Sequence, residues 1–327
     1  MTTPASGEYR DRIAGLIVFG ILEILGGILC LLLLPLMLFG LAMAAQQGNA
    51  ALSLHAMIPG MCIYALLGIV LIWLGIGSIL ARRWARALWV CLSGVWLGSG
   101  LVATPFVLFM ASHLGGTMAA NGQPVPQPAI QLITQVIMVA FMLLFYIVIP
   151  GALFLFYRSP HVRSTCEVRD PKGRWTDHCP LPVLALSLLT SFGAVGTLAL
   201  LGFRCVFPFF GFLVDGAGGC VLILALSGTM LYLGRGLYRL QIDAWRLLLA
   251  VIVIMAISGT ITFWRIDLVT MYTSMGVDSH VVTAAAKMGQ MNFLRWMTPI
   301  WFLPWVGWLL FVRRYFPKSS TTAGVSV

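Results

Sequence analysis

Charged residues are scarce in this chain. Only 9% of its 327 residues are charged, and Asp and Glu together number 10. Soluble globular domains carry about 25% charged residues, so this composition excludes a water-soluble fold. With 60% hydrophobic residues and a mean hydropathy of +0.97, the composition predicts a protein that lies in a lipid bilayer.

Catalytic and cofactor motifs are also lacking. The sequence has no GxSxG, no HExxH, no phosphate-binding GxxxxGK[ST] and no dinucleotide fingerprint. We therefore expect a non-enzymatic protein without a cofactor. The net charge of +10 could suggest nucleic acid, but the basic residues lie at the ends of apolar segments, which is typical of membrane topology signals. No nucleic-acid partner is expected.

Eight apolar runs are long enough to cross a membrane: 13–45, 56–80, 85–111, 130–157, 183–203, 209–234, 247–264 and 296–312. Backbone groups in lipid must bond internally, so these runs predict helices and an all-α polytopic membrane protein. The first run is too long for a cleavable signal sequence, and we expect it to stay as a helix.

Basic residues predict the orientation. With the N-terminus inside, 16 of the 20 Lys and Arg residues lie in inner segments. This places both termini in the cytosol and the protein in the inner (plasma) membrane. The inner clusters are interpreted as interfacial anchors and topology signals, with contact to anionic lipids as the alternative. They comprise Arg82, Arg83, Arg86, Arg235, Arg239 and Arg246.

The two halves repeat short patterns in the same order. Phe19-Gly20 resembles Phe192-Gly193, and the motif LGxG that begins at Leu74 recurs at Leu233. Four helices per half predict two tandem parallel repeats, 1–157 and 182–327, joined by a cytosolic segment 158–181. The outer segment 265–295 predicts one or two short helices at the outer surface.

The cytosolic segment holds the longest polar stretch, HVRSTCEVRDPKGRWTDHCP. One interpretation is a metal site made by Cys166, Cys179 and either His161 or His178, although the spacing is not that of a zinc site. Another is a surface that binds a protein partner. The favoured interpretation is a structural clasp in which DPKG forms a turn, with Val168 and Trp175 packed on the inner helix ends.

Glu23 is the one acidic residue well inside a predicted span. Its distance from Arg12 places it near the bilayer centre, at 1.5 Å per helical residue. An ionisable group there predicts a proton or cation site. The alternative is a protonated Glu that is hydrogen-bonded to a neighbouring helix.

The cysteines predict no disulfide framework. Cys30, Cys62, Cys91 and Cys220 lie in apolar segments, where Cys usually serves as a small hydrophobic residue, and Cys205 lies near the outer end of a helix. Asp215 begins a Gly-rich stretch, and a capping role is favoured over catalysis.

The stretch WTDHCPLPVLALSL and the FG and Pro positions in the first helix of each half resemble features of uncharacterised bacterial multi-pass membrane proteins. The resemblance implies a bacterial inner membrane and supplies no functional residues.

Our leading hypothesis is transport of a small solute, ion or lipid, with Glu23 in the pathway. The alternative is a scaffold or sensor subunit whose cytosolic segment binds a partner or metal. In either case, another protein and a second copy of this chain in a homo-oligomer are kept as expected partners. An intramembrane enzyme ranks last.

Overall fold

The computed structural model describes residues 11–46, 54–120, 128–276 and 291–317. The chain divides into two compact units, Met1–Leu181 and Pro182–Val327. Seven of the described helices are long and apolar enough to cross a membrane, and the chain is an all-α polytopic membrane protein. The eighth predicted span, 296–312, forms a helix but is not among those seven in the described residues, so the count of eight stays a prediction.

Six helices form the first unit: α1 (Ile13–Gln46), α2 (Leu54–Ile79), α3 (Arg83–Ala120), α4 (Pro128–Leu143), α5 (Ile149–Arg158) and α6 (Pro160–Arg169). A π-helical turn at Leu144–Val148 joins α4 to α5, and a 3-10 turn covers Trp175–Asp177. Leu22, Leu29 and Leu36 on α1 are exposed, as expected for side chains that face lipid.

Close contact between α1 and α2 depends on glycine. A Cβ on Gly75 would lie 2.7 Å from the carbonyl oxygen of Gly20, and one on Gly27 would lie 2.7 Å from that of Gly68. Small residues let membrane helices approach closely enough for backbone packing. The two glycine pairs therefore fix which face of α1 turns towards α2.

The second unit contains α7 (Leu181–Leu198), α8 (Gly216–Tyr238), α9 (Ile242–Arg265), α10 (Leu268–Ser274) and α11 (Met291–Val312). Short 3-10 turns follow α7 at Ala199–Gly202 and α11 at Arg313–Tyr315. The helix α10 lies in the predicted outer segment 265–295, of which residues 277–290 lie outside the described part of the chain.

A short antiparallel hairpin precedes α8, with strands β1 (Phe207–Phe209) and β2 (Phe212–Val214). The prediction that the sixth helix begins at residue 209 is therefore wrong. Phe210 and Gly211 both have positive φ, which matches the two-residue turns that suit hairpin twist. The amide N–H groups of these turn residues donate to the hydroxyls of Ser258 and Thr262 on α9.

A disulfide joins Cys205 to Cys220 across this hairpin. The expectation that no disulfide forms, and that Cys220 is a small hydrophobic residue, is wrong. Fifteen residues separate the pair, and the hairpin between them folds back so that the first turns of α8 lie beside Cys205. A contact that depends on this fold-back leaves no spacing signature in the sequence.

The turn between the second and third long helices is the same in both units. Ala81 and Leu240 each adopt a left-handed conformation with φ of 49° and 57°. The backbone N–H of the next residue donates to a glycine carbonyl in each unit. Arg82 donates to Gly77 at 2.9 Å, and Gln241 donates to Gly236 at 3.0 Å. This is the arrangement by which helices commonly end.

Candidate functional site

Glu23 is buried, with 6% of its surface exposed. It shares one face of α1 with Leu16, Gly20 and Gly27, at the spacing of a helical stripe, and this face packs on α2. Sequence analysis singled out Glu23 as the intramembrane ionisable residue, and the structure places it inside the first unit rather than against lipid.

The hydroxyl of Tyr157, at the end of α5, connects Glu23 to α2. It lies 2.7 Å from Glu23 Oε1 and 2.8 Å from the hydroxyl of Ser78. All three side chains are buried. Hydrogen bonds in such surroundings are stronger than in water, so this group holds α1, α2 and α5 in one arrangement.

Trp89 on α3 completes the polar cluster, which we define as Glu23, Ser78, Trp89 and Tyr157. Its ring stacks on that of Tyr157, with centroids 5.8 Å apart. The indole N–H lies near the Glu23 carboxyl group. Neither that N–H nor Glu23 Oε2 has a hydrogen-bond partner among the residues that the structure describes, although both are buried.

The hydrogen-bonded partners of Glu23 lie near helix ends that are predicted to face the inner surface. Ser78 is next to the end of α2, and Tyr157 is next to Arg158. The start of α1 lies beside α6, because the backbone N–H of Arg12 donates to Thr165 Oγ1 at 3.1 Å. The first turns of α1 therefore lie against the segment 158–181, and the position of Glu23 near the bilayer centre stays a prediction.

The segment 158–181, predicted to be cytosolic, packs on the helices of the first unit as a cap. Its first part is a helix, α6. Pro160 suits the first turn of a helix, and Arg163 pairs with Glu167 one turn on at 2.8 Å. Val168 and Trp175 are 66% and 42% exposed, so they are not the buried residues of the cap.

Asp170 is the main anchor of the cap. Its carboxylate accepts two hydrogen bonds from Arg174, at 2.7 and 2.9 Å, and one from the backbone N–H of Arg83 at 3.3 Å. Arg82 lies 3.6 Å away. The Arg174 hydrogen bonds hold the pKa of Asp170 below its ordinary value.

All three predicted interfacial arginines of the first unit contact the protein itself, Arg82 through Asp170. Arg83 lies 3.6 Å from Asp177 and 3.8 Å from Glu167, and Arg86 Nε donates to the carbonyl of Tyr157 at 3.0 Å. In the second unit, Arg235, Arg239 and Arg246 are exposed, as an interfacial anchor requires. The interpretation as anchors is thus too simple for the first unit.

The cysteines and histidines of the cap do not form a metal site in the described part of the chain, where no group of three or more suitable ligands occurs. Cys166 and Cys179 are buried thiols, and loss of solvation raises the pKa of each to about 11. His178 is exposed and His161 half-buried. Thiols with such pKa values are unreactive at neutral pH.

Similar contacts occur in the second unit, and under the predicted repeat they point to counterparts of the polar cluster. Gly75 packs on the backbone of Gly20, and Gly234 packs on that of Ser187. Counting three residues on from Gly20 and from Ser187 matches Glu23 with Thr190. The contact relates Gly20 to Ser187, and not to Gly193 as the sequence match had it.

Two further contacts extend this correspondence. The Arg86 side chain donates to the carbonyl of Tyr157, and Trp245 donates to that of Leu309 at 2.8 Å. These pairs, with the shared turn, match the other three positions of the polar cluster to leucines. The counterparts of Ser78, Trp89 and Tyr157 are Leu237, Leu248 and Leu309, all buried.

Sequence reasoning found Glu23 but missed its three partners. Tyr157 and Trp89 are aromatic residues near helix ends, where the usual interpretation is an interfacial belt. Ser78 lies in a Gly-rich helix end and has no distinguishing spacing. The cluster can carry one exchangeable proton on Glu23, with hydroxyl groups that connect it to α2.

Comparison with protein-family models, with curated proteins and with solved structures found no match to this chain.

Proposed function

We propose that this protein moves a small solute or ion across the membrane, coupled to protonation of Glu23. The single observation that carries the proposal is a buried carboxyl group, inside a candidate membrane helix, with one oxygen bonded to Tyr157 and the other without a hydrogen-bond partner among the described residues. Ionisable groups within membrane spans are costly and commonly belong to ion or proton pathways.

The chemistry of the cluster favours a proton over a metal cation. Glu23 is its only carboxylate, and Tyr157 and Trp89 turn donors towards it. A metal cation needs several oxygen ligands, whereas a proton needs one carboxyl group and acceptable hydrogen bonds in both states. No Lys or Arg in the described residues forms an ion pair with Glu23, so protonation is the available way to remove its charge.

Proton movement can be measured without knowing the solute. The purified protein is placed in liposomes that contain a pH-sensitive dye, and proton flux is driven by a potassium gradient with valinomycin. We expect flux from the wild type and at least a tenfold loss in Glu23→Gln. The matched control is Asp243→Asn, because Asp243 is an exposed acid in the second unit. Wild-type flux in Glu23→Gln contradicts the proposal.

The same liposomes can then be used to find the solute. Candidate ions and solutes are added in turn, and stimulation of proton flux is compared between wild type and Glu23→Gln. A solute that increases flux only when Glu23 is present defines the transported class.

The disulfide supports the predicted orientation. Disulfides persist in oxidising compartments such as the periplasm, and the Cys205–Cys220 hairpin precedes α8 at the predicted outer surface. The thiols of the cap, Cys166 and Cys179, lie at the predicted cytosolic side. We propose an inner-membrane protein with both termini in the cytosol and two parallel four-helix repeats, which the shared turn and contacts support.

Orientation can be tested with a membrane-impermeant thiol reagent. Single cysteines placed at Phe212 and at Val168, both exposed, are labelled in intact cells. We expect labelling at Phe212 and none at Val168 until the membrane is permeabilised. The opposite pattern contradicts the proposed orientation.

The second candidate function is a scaffold or sensor subunit. It is favoured by the exposed apolar side chains Val168 and Trp175 on a cap that is otherwise held by ion pairs. A photo-crosslinking residue at Val168 is expected to capture a cytosolic protein, whereas one at Lys172, on the same cap, serves as the control. Equal capture at both positions counts against a specific docking surface.

A further inference from the structure

We infer that Tyr157 and Ser78 form a relay that passes protons between Glu23 Oε1 and the end of α2. This inference deepens the proposed function and rests on it. It starts from the positions of three oxygen atoms and one nitrogen atom in the polar cluster.

The Tyr157 hydroxyl has one proton but two oxygen neighbours, at 2.7 and 2.8 Å. It therefore donates one of these bonds and accepts the other. When Glu23 is ionised, Ser78 donates to Tyr157 and Tyr157 donates to Glu23. When Oε1 is protonated, Glu23 donates to Tyr157 and Tyr157 donates to Ser78. The same heavy-atom positions serve both states.

Trp89 determines which oxygen carries the proton. An indole N–H is only a donor, so the oxygen that faces it must act as an acceptor. We assign this role to Oε2, because Oε1 already accepts from Tyr157 and Oε2 has no other partner among the described residues. The proton is accordingly placed on Oε1, the oxygen from which it can pass to Tyr157.

Proton transfer along this chain is balanced. As a proton from water binds Ser78 Oγ, the Ser78 proton moves to Tyr157, and the Tyr157 proton moves to Glu23 Oε1. Three O–H bonds form, and three break, one of them in the donor water or hydronium. No redox step or further reactant is required.

The cytosolic end of the relay is at Ser78. This residue lies in the last turn of α2, and Arg82, in the turn that follows, has 41% of its side chain exposed to water. Other titratable groups at the relay are Arg86 of α3, bonded to the Tyr157 carbonyl, and Cys166 of α6. The relay thus connects Glu23 with the predicted inner surface.

Tyr157→Phe tests the relay because it keeps the ring that stacks on Trp89 and removes only the hydroxyl. In the liposome assay we expect proton flux to fall at least tenfold, while the infrared band of the protonated Glu23 carboxyl group persists at a shifted frequency. Ser78→Ala is expected to lower flux with the same carboxyl band retained. The control is Tyr146→Phe, which removes an exposed hydroxyl from the same span.

The outcomes separate the relay from the proposed function. Wild-type flux in Tyr157→Phe or in Ser78→Ala, with flux lost in Glu23→Gln, overturns the relay and leaves the proton site intact. Wild-type flux in Glu23→Gln overturns both. If Tyr157→Phe fails to fold, Ser78→Ala alone decides. Disappearance of the carboxyl band in Ser78→Ala also overturns the relay, because the change would then affect Glu23 itself.

Discussion

The two units fill the same buried region in opposite ways. The first unit places Glu23, Ser78, Trp89 and Tyr157 there, and equivalent contacts in the second unit place Thr190, Leu237, Leu248 and Leu309. The second unit is packed in this region without a carboxyl group. Under the proposed repeat, the same arrangement of helices packs without a carboxyl group, which supports the proposal that Glu23 serves a function.

The predicted inner ends of the units also differ, because their arginines have different contacts. In the first unit, Arg82 and Arg83 hold a folded cap through Asp170 and Asp177, whereas Arg235 and Arg239 in the second are exposed. In the second unit, the Cys205–Cys220 disulfide instead links the segment before the hairpin to α8. Each unit thus has one stabilised end, and these ends are predicted to lie on opposite sides of the membrane.

Removal of the disulfide is expected to have the largest effect on stability. A loop of 15 residues closed by a disulfide contributes about 3 kcal/mol to the free energy of unfolding. Cys205→Ser/Cys220→Ser should lower the Tm of the detergent-purified protein. Under denaturing, non-reducing conditions, alkylation should label five cysteines in the wild type, out of seven in the chain. Seven labelled cysteines would contradict the disulfide.

Asp170→Asn is expected to have the next largest effect, limited to the cap. It removes the negative charge and one of the two acceptor oxygens that hold Arg174 and Arg82, so the Tm should fall by several degrees and Cys166 should become reactive to alkylation. The control is Asp243→Asn, which breaks an exposed pair. Unchanged protection of Cys166 would show that the cap does not depend on Asp170.

The pH dependence of the cap follows from the same group. The pKa of Asp170 is lower in the folded protein than in the unfolded chain. Its contribution to stability is therefore complete at neutral pH and is lost as the pH falls through the folded-state pKa. Reaction of Cys166 with a pyridyl disulfide, a reagent that modifies accessible thiols at low pH as well, should increase at acidic pH in wild type. Asp170→Asn should lack that acidic transition.

The shared turn should respond equally in both units. Ala81 and Leu240 are non-glycine residues at positive φ, which costs about 1 kcal/mol relative to glycine. Ala81→Gly and Leu240→Gly should each raise the Tm slightly. A gain in one unit and a loss in the other would show that the two turns are not equivalent.

The smallest effect is expected at the counterpart of Glu23. Thr190 donates its hydroxyl to the carbonyl of Leu186 in its own helix, so it takes no part in a polar cluster. Thr190→Val should leave proton flux unchanged and shift the Tm by a degree or two. A loss of flux comparable to that of Glu23→Gln would mean that both units contribute to the pathway.

Long apolar runs made the helices of this protein predictable from sequence, because lipid leaves the backbone few alternatives. The hairpin at Phe207–Val214 was not, since an apolar run of that length fits a strand as well as a helix end. The α-helical start of the cap was also missed. DPKG favoured a turn, and the burial of Val162 and Cys166 one turn apart became visible only in the structure.

The candidate site was predictable only in part. A lone Glu in an apolar run is conspicuous, so Glu23 could be named from sequence. Its partner Tyr157 lies 134 residues away from it in the sequence, and Ser78 lies 79 residues away from Tyr157. Their meeting depends on the glycine contacts of α1 with α2, which sequence patterns suggested without fixing the register.

The most direct test is infrared difference spectroscopy of the protein in liposomes between acidic and alkaline pH. The account predicts a carbonyl band of a protonated carboxyl group that titrates, that is absent in Glu23→Gln, and that remains in Asp243→Asn. A spectrum without such a band, or one in which the band survives in Glu23→Gln, would contradict the claim that Glu23 is the proton-carrying group of this membrane protein.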